Sequence, residues 1–457
     1  MRETSENVQI KKKSGQMDML HGSLWDKILL FALPLAASSI LQQLFNSADV
    51  AVAGRFAGNE ALAAVGGNSS VISLMINLFV GLSVGANVVI ASYIGQQKSE
   101  KVKESVHTVF SIALISGVIL LLLGIFVARP LLQLMNTPKG VLNLAVVYLK
   151  IYFCGMPFVM VYNFGSAILR SVGDTKKPLY CLIISGSINV CLNLLFVICF
   201  QLSVVGVALA TVISNGISAG LIVYFLTHAD PLIRLDLRKL TLHKEQVIKV
   251  VQIGAPAGLQ GMVFSISNVC IQAAINGFGT NAIAGSAAAL NYEYFTYFVT
   301  SAFSQAAVTF TSQNFGAGQK KRCKQVFYTS LLFGILITGI MSIVFVLGRG
   351  FFNGIYTTEP EALDYAVRRM MRVQILECLP CLYEIGGSIL RGMGYSMLPA
   401  ILTVFGSCGL RVLWLYTVFR WVPTYEMLMD VYPVTWIITS MMVLLAYWII
   451  ARKALKQ

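Results

Sequence analysis

Apolar stretches of about twenty residues, separated by short polar and basic connections, recur along the whole chain. A helix rising about 1.5 Å per residue needs roughly that many apolar residues to cross the hydrocarbon of a bilayer. The pattern therefore predicts an all-α polytopic membrane protein with twelve spans, at 28–53, 62–93, 104–127, 144–169, 179–200, 205–227, 247–275, 282–314, 325–347, 362–390, 400–421 and 428–451. It also repeats once, at an offset of about 221 residues: Pro34 returns as Pro256, Gly58 as Gly279, Gly95 as Gly316, and Arg170, Gly173 and Pro178 as Arg391, Gly394 and Pro399. So long a period is a duplicated half, not a solenoid repeat.

Each predicted half has six spans, so both halves enter the membrane from the same side. That makes a parallel repeat of two six-helix lobes about a pseudo-twofold axis along the membrane normal. The expected organisation is an N-terminal arm (1–27), an N-lobe (28–227), an inter-lobe loop (228–246), a C-lobe (247–451) and a tail (452–457). Lys11, Lys12, Lys13 and Lys27, with the basic residues after even-numbered spans, place the arm, the loop and the tail in the cytoplasm by the positive-inside rule. Arg368, Arg369 and Arg372 stand on the other side as exceptions.

Composition narrows the function. Charged residues make up 12% of the chain and hydrophobic ones 56%, and the net charge of +14 is spread over the connections. Topogenesis and attraction to anionic lipid explain that charge, so nucleic acid is not an expected partner. The first residues lack the apolar core and cleavage site of a signal peptide. Nine cysteines lie mostly within spans, where a thiol packs as a small apolar group. Cys378 and Cys381 have redox spacing without a redox context. The four histidines are scattered, and no zinc set, phosphate loop or hydrolytic grouping appears. The protein is not expected to be an enzyme or to hold a cofactor or metal.

Polar groups within the spans are costly and mark candidate function. Asp49 lies 22 residues beyond Lys27, roughly 33 Å along the first span. It is either an interfacial acid ending that helix, with Gly54 and Arg55 following, or part of a hydrated site. Similar arithmetic sets Tyr148, Asn193 and Thr211 in the outer half, with Asn189 one turn below Asn193 on the same face. The repeat puts Cys270 opposite Asp49, so this cluster belongs to the N-lobe alone.

The proline-bearing first span with Asn46 to Gly54, the stretch Leu62 to Gly66, the stretch Ser312 to Lys320, and the paired Arg–Gly–Pro loops resemble the multidrug and toxic compound extrusion (MATE) transporters, in their DinF-like branch. The resemblance covers the chain from about Leu24 to Ala451 and implies two six-helix lobes around a central cavity, with cation-driven export by alternating access. It gives Asp49, Tyr148, Asn189, Asn193 and Thr211 the role of a cation-coupling site, and suggests that the helices holding Pro34 and Pro256 bend during transport. Asn193 stands where that branch often carries a second acid, which weakens the case for sodium and leaves one titratable carboxyl. Burial penalises its charged form, so a proton taken up outside and released inside is the expected coupling event. Lys150, near the same depth, could pair with Asp49. Two residues of helix turn it about 200° away from Tyr148, so it is expected to face outwards.

The C-lobe holds other acids. Glu293 sits among Tyr292, Tyr294, Phe295, Tyr297 and Phe298, an aromatic surround suited to an organic cation. Glu293 and Glu384, with Tyr292 and Tyr297, are the expected substrate contacts; Glu377 is expected to be solvated near the outer end, and Arg411 to neutralise one acid. The loops 170–178 and 391–399 are expected to fix short turns. The expected activity is a monomeric, proton-coupled exporter of cationic or amphiphilic compounds in a prokaryotic cell membrane. A sodium-coupled exporter and a lipid-linked oligosaccharide flippase are the alternatives, the flippase requiring a strongly basic cavity.

Overall fold

A computed structural model describes residues 17–134, 137 and 139–455, so Lys11, Lys12 and Lys13 lie outside the described residues. The chain folds into twelve membrane helices. They are α1 (Trp25–Ala57), α2 (Glu60–Gly95), α3 (Ser99–Gln133), α4 (Gly140–Cys154 with Met156–Ser171), α5 (Lys176–Cys199) and α6 (Ser203–Thr227), then α7 (Lys244–Asn276), α8 (Thr280–Gly316), α9 (Lys320–Leu347), α10 (Pro360–Leu376 with Pro380–Gly392), α11 (Met397–Trp421) and α12 (Tyr425–Ala454). No strand occurs among the described residues. The helices form two six-helix lobes related by a pseudo-twofold axis, α1–α6 and α7–α12.

The two bent helices occupy equivalent places, α4 turning by 46° and α10 by 42°. Pro157 and Pro380 stand at the first turn of the segment after each bend, where a missing N–H costs nothing. The helices holding Pro34 and Pro256 run unbroken through them. The repeated turns after α4 and α10 are built alike, with Gly173 at φ +88° and Gly394 at φ +93°, a conformation that disfavours side chains.

α8 is a 37-residue helix, yet it is not among the nine helices and two bent pairs apolar enough to cross a membrane. Its buried side includes Ser286, Glu293, Thr296, Thr300, Ser304, Thr309, Ser312, Gln313 and Asn314. Its less buried stripe, with Ala284, Ala287 and Tyr294 exposed and Asn291, Phe298, Ser301 and Gln305 half-buried, recurs at alternating steps of three and four. Small and polar residues on one helix face do not suit lipid; they suit a water-accessible wall.

α1 and α7 cross between the lobes. The first half of α1 (Ile28, Phe31, Leu35, Ala36) belongs to a buried C-lobe cluster with Phe303, Phe310 and Phe327, whereas Val52 and Ala53 belong to the N-lobe cluster. α7 mirrors it: Val250 is buried in the N-lobe cluster, and Ile271 and Ile275 in the C-lobe. Between the lobes, α2 and α7 touch backbone to backbone, since a Cβ on Gly81 would run into the backbone of Gly258. Without a hydrophobic drive in lipid, such contacts between small residues hold helices together.

Hydrogen bonds tie the lobes together at the face that carries both chain ends: Gln313 Nε2 to the Ser171 carbonyl (2.6 Å), Lys249 Nζ to Tyr93 Oη (2.7 Å) and Asn87 Nδ2 to Thr309 Oγ1 (2.7 Å). The last such tie, Asn77 Nδ2 to Ser265 Oγ at 2.9 Å, lies near mid-depth. Among the described residues no hydrogen bond joins the lobes beyond it.

The three outer arginines are not exceptions in charge. Arg368 pairs with Asp364 and Glu426, Arg372 with Asp430, and Arg369 lies inside the C-lobe against Glu293. An acid meets each of them.

Candidate functional site

Asp49 is 7% exposed, far too buried for an interfacial helix-ending acid, and α1 continues past it for two turns. Three helices converge on it. Asn193 of α5 donates its Nδ2 to Asp49 Oδ1 at 2.5 Å, and Thr211 of α6 donates its hydroxyl to Asp49 Oδ2 at 3.2 Å. Asn193 Nδ2 also reaches Asn189 Oδ1 at 3.2 Å, the one-turn contact that spacing predicts. Tyr148 on α4 is buried within electrostatic reach of the carboxylate, and the half-buried Tyr152 one turn further on is within its reach too. Lys150, between them, is exposed and turned away.

Just past the site, α1 widens into a π turn at Ala53–Ala57 and α5 into another at Leu195–Cys199. Such turns re-aim side chains and loosen the helical ladder, and they concentrate at functional sites. One group in the cluster is unsatisfied: Asn193 Oδ1 is buried with no partner. A protonated Asp49 would offer an O–H beside this spare acceptor. The donors therefore stabilise the charged form, and an acceptor awaits the neutral one.

The C-lobe differs from the sequence expectation. Glu293 is held by a bidentate pair with Arg369, Nε to Oε1 at 2.6 Å and Nη2 to Oε2 at 2.8 Å, with both residues almost wholly buried. Its charge is met inside the lobe, which leaves none for a substrate. Tyr292 is buried too, its hydroxyl donating to the Phe352 carbonyl at 2.6 Å and its ring packed on Phe345 and Phe352. Arg411 forms no ion pair among the described residues, donating to Asn268 and stacking on Tyr432, but it lies within electrostatic reach of Glu377, while Arg369 pairs directly with Glu293. Glu377 is 5% exposed, not solvated, because the bend of α10 turns it into the lobe.

Two of the expected C-lobe contacts are accessible. Tyr297 is 37% exposed and lies beside the half-buried Glu384 of α10. Arg391, two turns along from Glu384, and Gln260 of α7 complete this wall, with Arg391 Nη2 donating to Gln260 Oε1 at 3.1 Å. The sequence marked Arg391 only as part of a repeated turn. Tyr152 was legible as the i+4 neighbour of Tyr148, whereas the Arg369–Glu293 pair gave no signal, since 76 residues separate the partners.

Among the described residues no group of three or more histidine, cysteine or acidic side chains could hold a metal. All nine cysteines are free, and buried Cys381 contacts Thr300 instead of Cys378.

Comparison with known proteins agrees with the duplicated fold. The MatE family model matches the chain twice, over residues 34–195 and 256–417. A relative from Bacillus subtilis, the probable multidrug resistance protein YoeA, is 27% identical over 417 residues, covering 90% of this chain and 89% of its own. An FAD transporter from Shewanella oneidensis is 26% identical over 71% of this chain and 72% of its own. Among solved structures, an outward-facing multidrug resistance MATE transporter superposes with a TM-score of 0.90 at 20% identity, over 97% of this chain and 99% of its own. With both halves matched by one model, the chain belongs to the MatE family of multidrug and toxic compound extrusion transporters.

Proposed function

We propose that the protein exports cationic or amphiphilic organic compounds from the cell by alternating access, driven by protons returning through the N-lobe. Asp49 carries the proton. Asn193 and Thr211 satisfy its charged form, Asn189 orients Asn193, and Tyr148 closes the site against the lobe. The observation that carries this reading is a carboxylate buried within a span and bonded by neutral donors only, in a lobe whose twin has Cys270 at that place. A charge so placed has a free energy that depends on protonation, which is what a coupling site requires.

The face bearing the chain ends is cytoplasmic in this account, because the basic connections lie there, and the side without hydrogen bonds between the lobes then faces outwards. From that state Asp49 takes up a proton, its hydrogen bonds rearrange around Asn193 Oδ1, and the preferred packing of the N-lobe changes. Each inward proton supplies about 2.3 kcal/mol per 100 mV of membrane potential. Drug export is supported by the multidrug names of relatives such as YoeA, while the FAD transporter marks how widely cargo varies among them. A proton fits better than sodium, since Asn193 directs an N–H donor at Asp49 Oδ1 where a cation would have to sit.

The test is export of ethidium from proteoliposomes under imposed proton and sodium gradients applied separately. Transport that follows the proton gradient and is lost in Asp49→Asn supports the proposal. Transport that follows sodium, or that survives the substitution, rejects it.

A further inference from the structure

The C-lobe wall carries a charge arrangement that a simple cation does not use. Glu384 and Arg391 are seven residues apart on the unbroken segment Pro380–Gly392, so they share one face with about 10 Å between them along the axis. Among the described residues no ion pair joins them, although each lies within the electrostatic reach of the other. Arg391 is 8% exposed; one nitrogen is taken by Gln260, and its Nε is buried with no partner at all. A buried guanidinium N–H without an acceptor is costly, and it would repel a bare organic cation held at Glu384.

The pseudo-twofold axis sharpens the contrast. The counterpart of Arg391 is Arg170, whose Nε also lacks a partner. The counterpart of Glu384 is the neutral Asn163, whose amide is spent on the Val159 carbonyl of its own helix. Both lobes thus carry the arginine, and only the C-lobe sets an accessible acid beside it. With Glu293 paired to Arg369, Glu384 is the carboxylate left on this wall.

We propose that this wall is a two-point site for amphoteric organic compounds, in which Glu384 and the adjoining Tyr297 hold the cationic or donor end while Arg391 and Gln260 hold an anionic or acceptor end. A carboxylate or similar group would meet the unpartnered Nε of Arg391 in a charge-assisted hydrogen bond and relieve its isolation. The site rests on the exporter reading above and adds the class of cargo to it.

The test uses rhodamine B, which carries a ring cation and a free carboxylate, and its ethyl ester, which keeps the cation and loses the acid. Binding of each to the purified full chain in nanodiscs is followed by fluorescence anisotropy at neutral pH, and export of each from proteoliposomes is measured beside it. The wild-type chain should bind rhodamine B more tightly than the ester. Arg391→Gln should weaken rhodamine B by about tenfold or more, the worth of one charge-assisted bond, and should not weaken the ester, whose cation loses a repelling neighbour. Retained or raised ester affinity also certifies that the variant is folded. Arg391→Lys, which keeps the charge, should retain part of the preference, and Glu384→Gln should weaken both dyes. Equal effects of Arg391→Gln on the two dyes, or none, overturn the site. A wild-type chain that exports the ester but discriminates against rhodamine B overturns this inference and leaves the exporter standing; one that moves neither dye counts against both.

Discussion

A carboxylate taken out of water must find a partner or give up its charge. Glu293 takes the first course through Arg369, and Asp49 has only neutral donors and so keeps the second open. Removing one side of the C-lobe pair leaves the other buried alone: Arg369→Ala should cost about 3–5 kcal/mol. The double variant Glu293→Gln with Arg369→Gln should recover much of that, and thermal unfolding in detergent would check it. An Arg369→Ala protein as stable as wild type contradicts the structural role. Tyr292→Phe loses one hydrogen bond to Phe352 and should cost about 1 kcal/mol without changing ethidium affinity. A marked loss of affinity in that variant would return Tyr292 to the substrate site. The Asp49 cluster was legible because helical rise puts its members in the same half of their spans and the family resemblance groups them. The Glu293 pair was not, because rise says nothing about which helix face meets which.

At the level of the helix, the sequence pattern located all twelve spans, and bilayer thickness is the reason: each apolar run has to reach a fixed length. The ends were less well placed. α1 begins at Trp25 and continues to Ala57, since polar residues within a π turn still extend the rod. The eighth span was recognised by its place in the repeat, even though its packing and less buried faces made it too polar for a hydropathy test. Bending at Pro34 and Pro256 was expected during transport; in this structure both helices run continuously, and the fixed bends fall in α4 and α10. The glycine contact between α2 and α7 yields a sharper expectation. Gly81→Val places atoms where the Gly258 backbone lies, so the lobes cannot meet there as they do now. Alkylation of a cysteine introduced at Gln313, probed from the face of the chain ends, should rise several-fold in that variant; unchanged labelling would mean that this contact does not hold the lobes closed.

Over the whole molecule, duplication sets the architecture and departures from symmetry set the chemistry. Asp49 has Cys270 as its counterpart in the repeat, and Glu384 has Asn163, so one lobe holds the Asp49 site and the other the mixed-charge wall. α1 and α7 each begin in one lobe and end in the other, which ties a change of packing around Asp49 to the relative position of both lobes. The proposed alternating access requires the mid-depth tie between Asn77 and Ser265 to part in every cycle. Cysteines at those two positions, in a background lacking the native thiols, should stop transport when oxidised and restore it on reduction. Full activity of the cross-linked protein would exclude a cycle that opens this seam.

The most direct measurement of coupling follows protons and cargo together, with a pH-sensitive dye trapped in proteoliposomes while a fluorescent cation is added. The account predicts proton movement opposite to the cargo in the wild-type chain. In Asp49→Asn, cargo should still bind, and both its export and the linked proton movement should vanish. Proton movement that persists in Asp49→Asn, with cargo transport intact, would contradict the assignment of the N-lobe carboxyl as the coupling group.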